Sequence, residues 1–393
     1  MKPVICSIAR TPIGRFRDVF SPLAAVDLGA VAISGALERS GLAADRVDEV
    51  LFGHVIQAGQ GQITARQAAV KAGLPMSVPA TTINKVCLSG MTAIADAANH
   101  IKVGESRFVM AGGMESMTNA PYVVTGAREG LRLGDSTIVD TLTHDGLFCA
   151  FDSCMMGESS DARNTVLGIE REVQDEWSAE SHRRAQHATD SGIFAKEIVP
   201  VDVPQRKGNP LTVTRDTGIR DGLTVESLAA LRPAFSSSGT ITAGNASQIS
   251  DGAAAVLVAD PQAAEAAGLT AIAEIVSYGQ IAGPDATLHE RPAQALEVAL
   301  KRANLTVDDI DLFEINEAFA SVSMWSAGIL GIEHEKVNVH GGAVALGHPL
   351  GATGARLIVT LINALQHTGG TLGAAALCGG GGQGDAMIVR MLS

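Results

Sequence analysis

The feature that most constrains the fold of this 393-residue chain is a repeat within itself. Residues 36–48 (ALERSGLAADRVD) lie without gaps over residues 299–311 (ALKRANLTVDDID), with six of the 13 positions identical. Each copy closes an amphipathic helix and then enters a short apolar run, Val50-Leu51-Phe52 in one and Leu312-Phe313-Glu314-Ile315 in the other. Such runs read as buried strands of an α/β unit. The match continues loosely: residues 82–87 and 337–341 each precede a helical stretch, and residues 108–113 resemble 373–380. The expectation is two α/β halves packed together, over 1–118 with 239–264 and over 265–393. Residues 119–238 form an insertion between them, rich in Asp, Ser, Thr and Arg, with a polar helix over 170–189.

Composition narrows the partners. With 46% hydrophobic and 18% charged residues, the chain is neither disordered nor a coiled coil. A net charge of −13 argues against nucleic acid or an anionic membrane as partner, and leaves room for a local basic site for a phosphorylated ligand. Five scattered cysteines without a CxxC speak against a disulfide framework or a structural zinc site and for a reduced, cytoplasmic setting. No stretch approaches the ~18 to 20 apolar residues that span a bilayer.

Four places carry candidate chemistry. Cys87 follows an extended segment and opens a helix with the apolar face Leu88, Met91, Ile94, Ala95, Ala98 and Ile101. A thiol there meets unpaired N–H groups and the positive dipole end, which favour the thiolate; taken alone it reads equally as a core cysteine. His348 is wedged between Gly347 and Pro349, on a loop entering a helix expected over 355–366, where glycines allow close ligand approach. Cys378 precedes Gly379-Gly380-Gly381-Gly382, a turn that either offers N–H groups to an anion or merely joins two strands. Asn316 ends the second copy of the repeated strand, either orienting a water or oxyanion or capping a helix. Other chemistries fail. Gly59-Gln60-Gly61-Gln62-Ile63-Thr64 is a damaged dinucleotide fingerprint with no acidic residue between Arg66 and Ala95 to hold a ribose. There is no phosphate-binding P-loop and no GxSxG elbow, and His340 with His348 lacks the carboxylate support of a metal site.

Taken together the motifs resemble the thiolase family, and within it the bacterial acetyl-CoA acetyltransferases. The resemblance covers essentially the whole chain. It rests on Asn84-Lys85-Val86-Cys87-Leu88-Ser89-Gly90, residues 111–117, residues 242–247, Asn316-Glu317-Ala318-Phe319-Ala320, Gly347-His348-Pro349 and Cys378-x-Gly-Gly-Gly-x-Gly, in the family's order. It implies an α/β fold of two duplicated βαβαβαββ halves in α/β/α/β/α layers, with an inserted loop domain. It also implies two-step acyl transfer between coenzyme A thioesters. Cys87 would carry the acyl group and His348 would take its proton. Cys378 would act as acid or base at the α-carbon. Asn316 through a water, with His348, would hold the enolate oxygen, and the N–H groups of Cys87 and Gly380 would hold the oxyanion. Arg220, Phe235, Ala243, Ser247, Met156 and Phe319 match coenzyme A-binding positions. Arg183, Arg184 and Arg206 are further candidates, with Arg220, for the phosphates. The resemblance implies no metal and no bound cofactor, acyl-CoA substrates, and a homotetramer joined through an arm over 122–145.

The sequence departs from the family at Met155, His340, Gln248 and Leu288-His289-Glu290-Arg291-Pro292, which bears on acyl length. Acetoacetyl-CoA is the expected substrate. The alternative is a 3-ketoacyl-CoA thiolase of broader chain length, and more remotely a non-catalytic lipid-binding relative. A condensing synthase of the same fold is disfavoured by Cys378, where such enzymes use histidine.

Overall fold

The computed structural model describes residues 2–392. Its main elements in chain order are β1 (Val4–Arg10), α1 (Ala25–Ser40), β2 (Glu49–Gly53), α2 (Thr64–Lys71), β3 (Ala80–Ile83), α3 (Ser89–Val103) and β4 (Phe108–Ser116). The connecting region carries α4 (Met156–Leu167) and the polar α5 (Arg171–Asp190). Then follow β5 (Ser250–Ala259), β6 (Ala273–Ala282), α6 (Arg291–Ala303), β7 (Leu312–Ile315), α7 (Ala320–Leu330), α8 (Leu350–Thr368), β8 (Leu372–Gly379) and β9 (Gln383–Met391).

The repeat is visible in the strand order. One sheet runs β7-β8-β9-β6-β1-β5-β4-β2-β3, with the two-residue strand Gly14–Arg15 added against β5. In the first half β2 pairs parallel with β3 and β4, and β5 antiparallel with β4 and β1. The second half repeats this: β7 is parallel to β8, β9 is antiparallel to β8 and β6, and a parallel bridge Phe313↔Val337 stands where β3 pairs β2. The halves join edge to edge through Val4↔Glu274 and Ile5↔Ala273.

Two helices form the middle layer. α3 and α8 pack on each other and on strands of both halves, while α1 with α2 and α6 with α7 cover the outer faces. Residues 350–365 of α8 are all buried, so the helix has no solvent face to leave an amphipathic pattern. Each of its polar side chains finds a partner, Thr353 in His348, Arg356 in Glu314, and Thr360 and Asn363 in Glu197, while Arg356 Nε and Nη2 and Asn363 Oδ1 have none among the described residues. Small residues let the layers meet backbone to backbone. A Cβ on Gly113 would lie 1.9 Å from the Gly351 carbonyl oxygen, and one on Gly354 would lie 2.4 Å from the Met91 nitrogen.

α8 begins at Leu350, five residues before the start expected from sequence. Gly351 and Gly354 read as helix breakers, but here they are interior positions chosen for close packing. The buried Glu115 carboxylate of β4 accepts the Gly351 N–H (2.9 Å), as well as those of Val55 and Ile56. A carboxylate at that end satisfies an orphan donor and suits the helix dipole. α5 matches the expected polar helix and is tied to the second half by the buried Glu317. That carboxylate accepts from Trp177 Nε1, Ser181 Oγ, Asn338 Nδ2 and the Val344 N–H.

Candidate active site

The duplication puts one reactive side chain at the same place in each half. Cys87 lies two residues before α3 and His348 two residues before α8. Val86, just before Cys87, has φ 51°, a left-handed conformation that is costly for a β-branched residue. It is held there by bonds from Leu88 N to Lys85 O and from Ser89 N to Val86 O, and by Ser89 Oγ, which donates to Val86 O at 2.6 Å. The result is a tight turn that presents the Cys87 thiol.

His348 is fixed from both sides. Its N–H donates to Gln248 O (3.0 Å), and Gly347 before it adopts φ 114° against Ser250, where a Cβ would clash. The ring Nδ1 lies 2.7 Å from Thr353 Oγ1, whose hydroxyl donates to Pro349 O at 2.9 Å. A hydroxyl already donating accepts from Nδ1–H, which leaves Nε2 with its lone pair. Nε2 is buried and has no partner among the described residues.

Cys378 is the next-to-last residue of β8, and Gly380-Gly381-Gly382 turn the chain into β9. Gly381 and Gly382 have φ of 78° and 68°, and a Cβ on Gly382 would sit 1.9 Å from Asp285 O, so only glycine fits there. Asn316 follows β7, and both polar atoms of its buried amide lack a partner among the described residues. The N-cap of α7 is Phe319, which removes the capping alternative for Asn316.

A single cavity of about 470 Å³ gathers these groups. Cys87, His348 and Cys378 line it with Met156, Arg220, Phe235, Ala243, Ser247 and Phe319. Gly380 and Asn316 are not in its wall. Gly380 lies in the turn after Cys378, where its N–H favours a Cys87 thiolate, and Asn316 is fully buried.

Models of the thiolase N-terminal and C-terminal domains match residues 3–262 and 269–391. The chain belongs to the thiolase family. A probable acetyl-CoA acetyltransferase of Mycolicibacterium smegmatis is 50% identical over 387 residues, covering 98% of this chain and all of that one. The acetyl-CoA acetyltransferase of Escherichia coli is 48% identical over 391 residues, 99% of each chain. The crystal structure of the Bacillus anthracis acetyl-CoA acetyltransferase superposes with a TM-score of 0.97 at 39% identity, over 100% of this chain and 99% of that one.

The electrostatics of this thiolase depart from the helix-terminus argument. The N–H groups of Gly380 and Cys87 do favour a Cys87 thiolate, but burial outweighs them and pushes the thiol up to about 12. Cys378 is raised still further by burial and by the neighbouring Cys87. Burial, with Arg356 adding to it, holds His348 down at about 3, so its ring is neutral. The resting thiolase therefore holds two thiols and a neutral imidazole, ready to exchange protons when substrate enters.

Of the expected cations, Arg220 lines the cavity and the other three do not. Arg183 and Arg184 pair with Glu180 on α5 and line a separate depression, and Arg206 is exposed away from the cavity wall. Among the described residues, the arginines that line the cavity are Arg220 and Arg15. Arg15, Phe16, Leu147 and Leu350 also line it and went unmarked in sequence, because they come from separate loops and element ends that fall in no motif, and Gln248, marked only as a departure from the family, lines it too.

Proposed function

We propose that this thiolase is an acetyl-CoA acetyltransferase, joining two acetyl-CoA into acetoacetyl-CoA and free coenzyme A and running the reverse cleavage. The observation that carries the reading is Cys87 sharing one cavity with the unpaired Nε2 of His348 and with Cys378. The relatives' names point the same way.

The steps follow from the proton holders. Cys87 sulfur attacks the thioester carbonyl while its proton passes to His348 Nε2. The oxyanion develops against the N–H groups of Cys87 and Gly380, and losing one such donor costs about 2.7–4 kcal/mol. Coenzyme A leaves as a thiol by taking the proton of Cys378, so acetyl-Cys87, a Cys378 thiolate and an imidazolium remain. Cys378 then removes an α-proton from the second acetyl-CoA. The enolate oxygen is held by His348 Nε2–H and by a water on Asn316, whose amide has both polar atoms available. The enolate carbon attacks the acetyl carbonyl, the Cys87 C–S bond breaks, and His348 returns its proton to Cys87.

Arg220, Ser247, Ala243, Phe235, Met156 and Phe319 bind the coenzyme A portion in this reading. The acyl end is short. Leu288, Phe319, Val322 and Cys378 form one buried cluster with Met156 and Phe235 packed on it, and longer chains must displace those side chains. Coenzyme A thioesters are substrates, and the chemistry calls on no metal or cofactor. We also propose the division into halves 1–118 with 239–264 and 265–393 around the insertion 119–238, a cytoplasmic location, and a homotetramer built as a dimer of dimers. Exposed Tyr122, Leu131, Leu133 and Ile138 on the arm favour self-association. Among the described residues no helix is long and apolar enough to cross a membrane.

The test is thiolysis of four-, six-, eight- and ten-carbon 3-oxoacyl-CoA, followed by loss of the magnesium-enolate absorbance. The reading expects kcat/KM to fall beyond four or five carbons. Values that stay equal or rise with length would instead indicate a broad-range 3-ketoacyl-CoA thiolase. No turnover at any length would refute the enzyme.

A further inference from the structure

A short hairpin leading into α4 carries two cysteines that the acyl transfer does not use. The two-residue strands Phe148–Cys149 and Cys154–Met155 pair antiparallel, with Cys149 directly opposite Cys154. Directly opposed residues of such a pair face the same side, with Cα atoms about 4.5–5.5 Å apart. A disulfide spans about 4.4–6.8 Å between Cα atoms, so this register accepts one without moving the backbone. Ser153 turns the chain between them with φ 52°, and the Asp152 N–H donates to Cys149 Sγ at 3.4 Å, which folds the turn over that sulfur. Both cysteines are free thiols.

Their access differs in the order that thiol exchange needs. Among the described residues Cys154 is the one cysteine that is not buried, whereas Cys149, Cys87 and Cys378 are buried. Cys154 can meet a small molecule from solution, and Cys149 stands opposite it as the resolving thiol. The hairpin also touches the site. Met155 and Met156, which follow Cys154, line the cavity, and a Cβ on Gly381, in the turn after Cys378, would lie 3.0 Å from the Phe151 ring at the hairpin tip. Partial burial first, and then the carboxylates of Asp152 and Glu158, hold the Cys154 thiol up. A thiol held up is a poor leaving group, so a disulfide there resists reduction once closed.

We propose that Cys149 and Cys154 are a redox-responsive dithiol that closes to a disulfide by exchange with a low-molecular-weight disulfide and tethers the hairpin beside the cavity. Cys154 Sγ, as the thiolate, attacks one sulfur of the small disulfide; its S–S bond breaks and the first small thiol leaves. Cys149 Sγ, losing its proton, then attacks Cys154 Sγ and expels the second small thiol. The two protein thiols give up two electrons and two protons, which reduce the small disulfide to two thiols. Cys87 and Cys378, buried in the cavity, take no part.

The experiment treats the full-length enzyme with oxidised glutathione at mildly alkaline pH and reads intact mass, a peptide map and amide hydrogen exchange, for wild type, Cys149→Ser and Cys154→Ser. Wild type should lose two hydrogens within the one peptide that holds both cysteines and regain them with dithiothreitol. While oxidised, its amides over residues 148–156 should exchange about threefold or more slowly. Cys149→Ser should stop at one glutathione adduct on Cys154, and Cys154→Ser should leave Cys149 unmodified. The wild-type result decides the proposal even where a variant fails to fold, and none of these readouts depends on the acyl-transfer reading. Wild type that keeps both thiols, holds a lasting glutathione adduct on Cys154, or links Cys87 to Cys378 instead would overturn the proposal. Unchanged exchange over 148–156 in the closed form would overturn the tether.

Discussion

At the scale of single residues, the reactive side chains were legible because their neighbours are unusual: glycines and a proline around His348, a glycine run after Cys378, and a helix start after Cys87. Their protonation was not legible. It depends on burial by distant strands, which reverses the helix-terminus argument for Cys87. Alkylation of the free enzyme by iodoacetamide should therefore rise about tenfold per pH unit from 7 to 9, because only the thiolate reacts and the thiol stays mostly protonated. A plateau below pH 8 would show a thiolate at rest. Thr353 was equally hidden, since its role depends on α8 starting early enough to bring its hydroxyl under His348. Thr353→Val leaves the buried Nδ1–H unpaired, which costs about 1–3 kcal/mol and frees the ring to turn. We expect kcat/KM to fall at least tenfold, with Thr353→Ser restoring most of it. Equal activity of the valine and serine variants would remove Thr353 from the site.

At the scale of elements, the repeat gave the strands and helices their order, but not the edge pairing of β1 with β6 or the early start of α8. Both arise from contacts between the halves, and a window along the chain does not contain them. The packing of α8 can be tested through glycines of opposite character. Gly113→Ala on β4 forces a methyl into the Gly351 carbonyl, and overpacking of a rigid backbone contact costs about 1–3 kcal/mol or more. Gly328→Ala lies on an exposed face of α7 with nothing within 4 Å of the new Cβ, and should add about 0.5–1 kcal/mol. Denaturant midpoints that moved in the same direction for both would contradict this packing.

At the scale of the whole molecule, the buried histidines set the acid limit. Burial holds His182, His289 and His340 at about 4 and His348 at about 3, whereas an unfolded chain protonates them near 6.5. Below pH 6.5 the unfolded state takes up protons that the folded state refuses, so stability is lost between about pH 6.5 and 4 and is unaffected by these groups above that. Asp251, held up at about 6, and Glu314, at about 8, oppose the trend by binding protons in the folded state, but they are fewer. His340→Asn isolates one contribution. It should flatten the loss between pH 7 and 5 by on the order of 2 kcal/mol, read from denaturant midpoints. An unchanged slope would mean that His340 titrates normally in the fold.

The central claim is that the two cysteines divide the work, Cys87 carrying the acyl group and Cys378 moving the α-proton. It is tested most directly by incubating Cys378→Ala with acetyl-CoA and following both the protein mass and the product. The account predicts one acetyl group per chain, mapped by peptide digestion to Cys87, with no acetoacetyl-CoA formed. An acetyl group mapped to Cys149 or Cys154, or near-normal condensation by the variant, would contradict it.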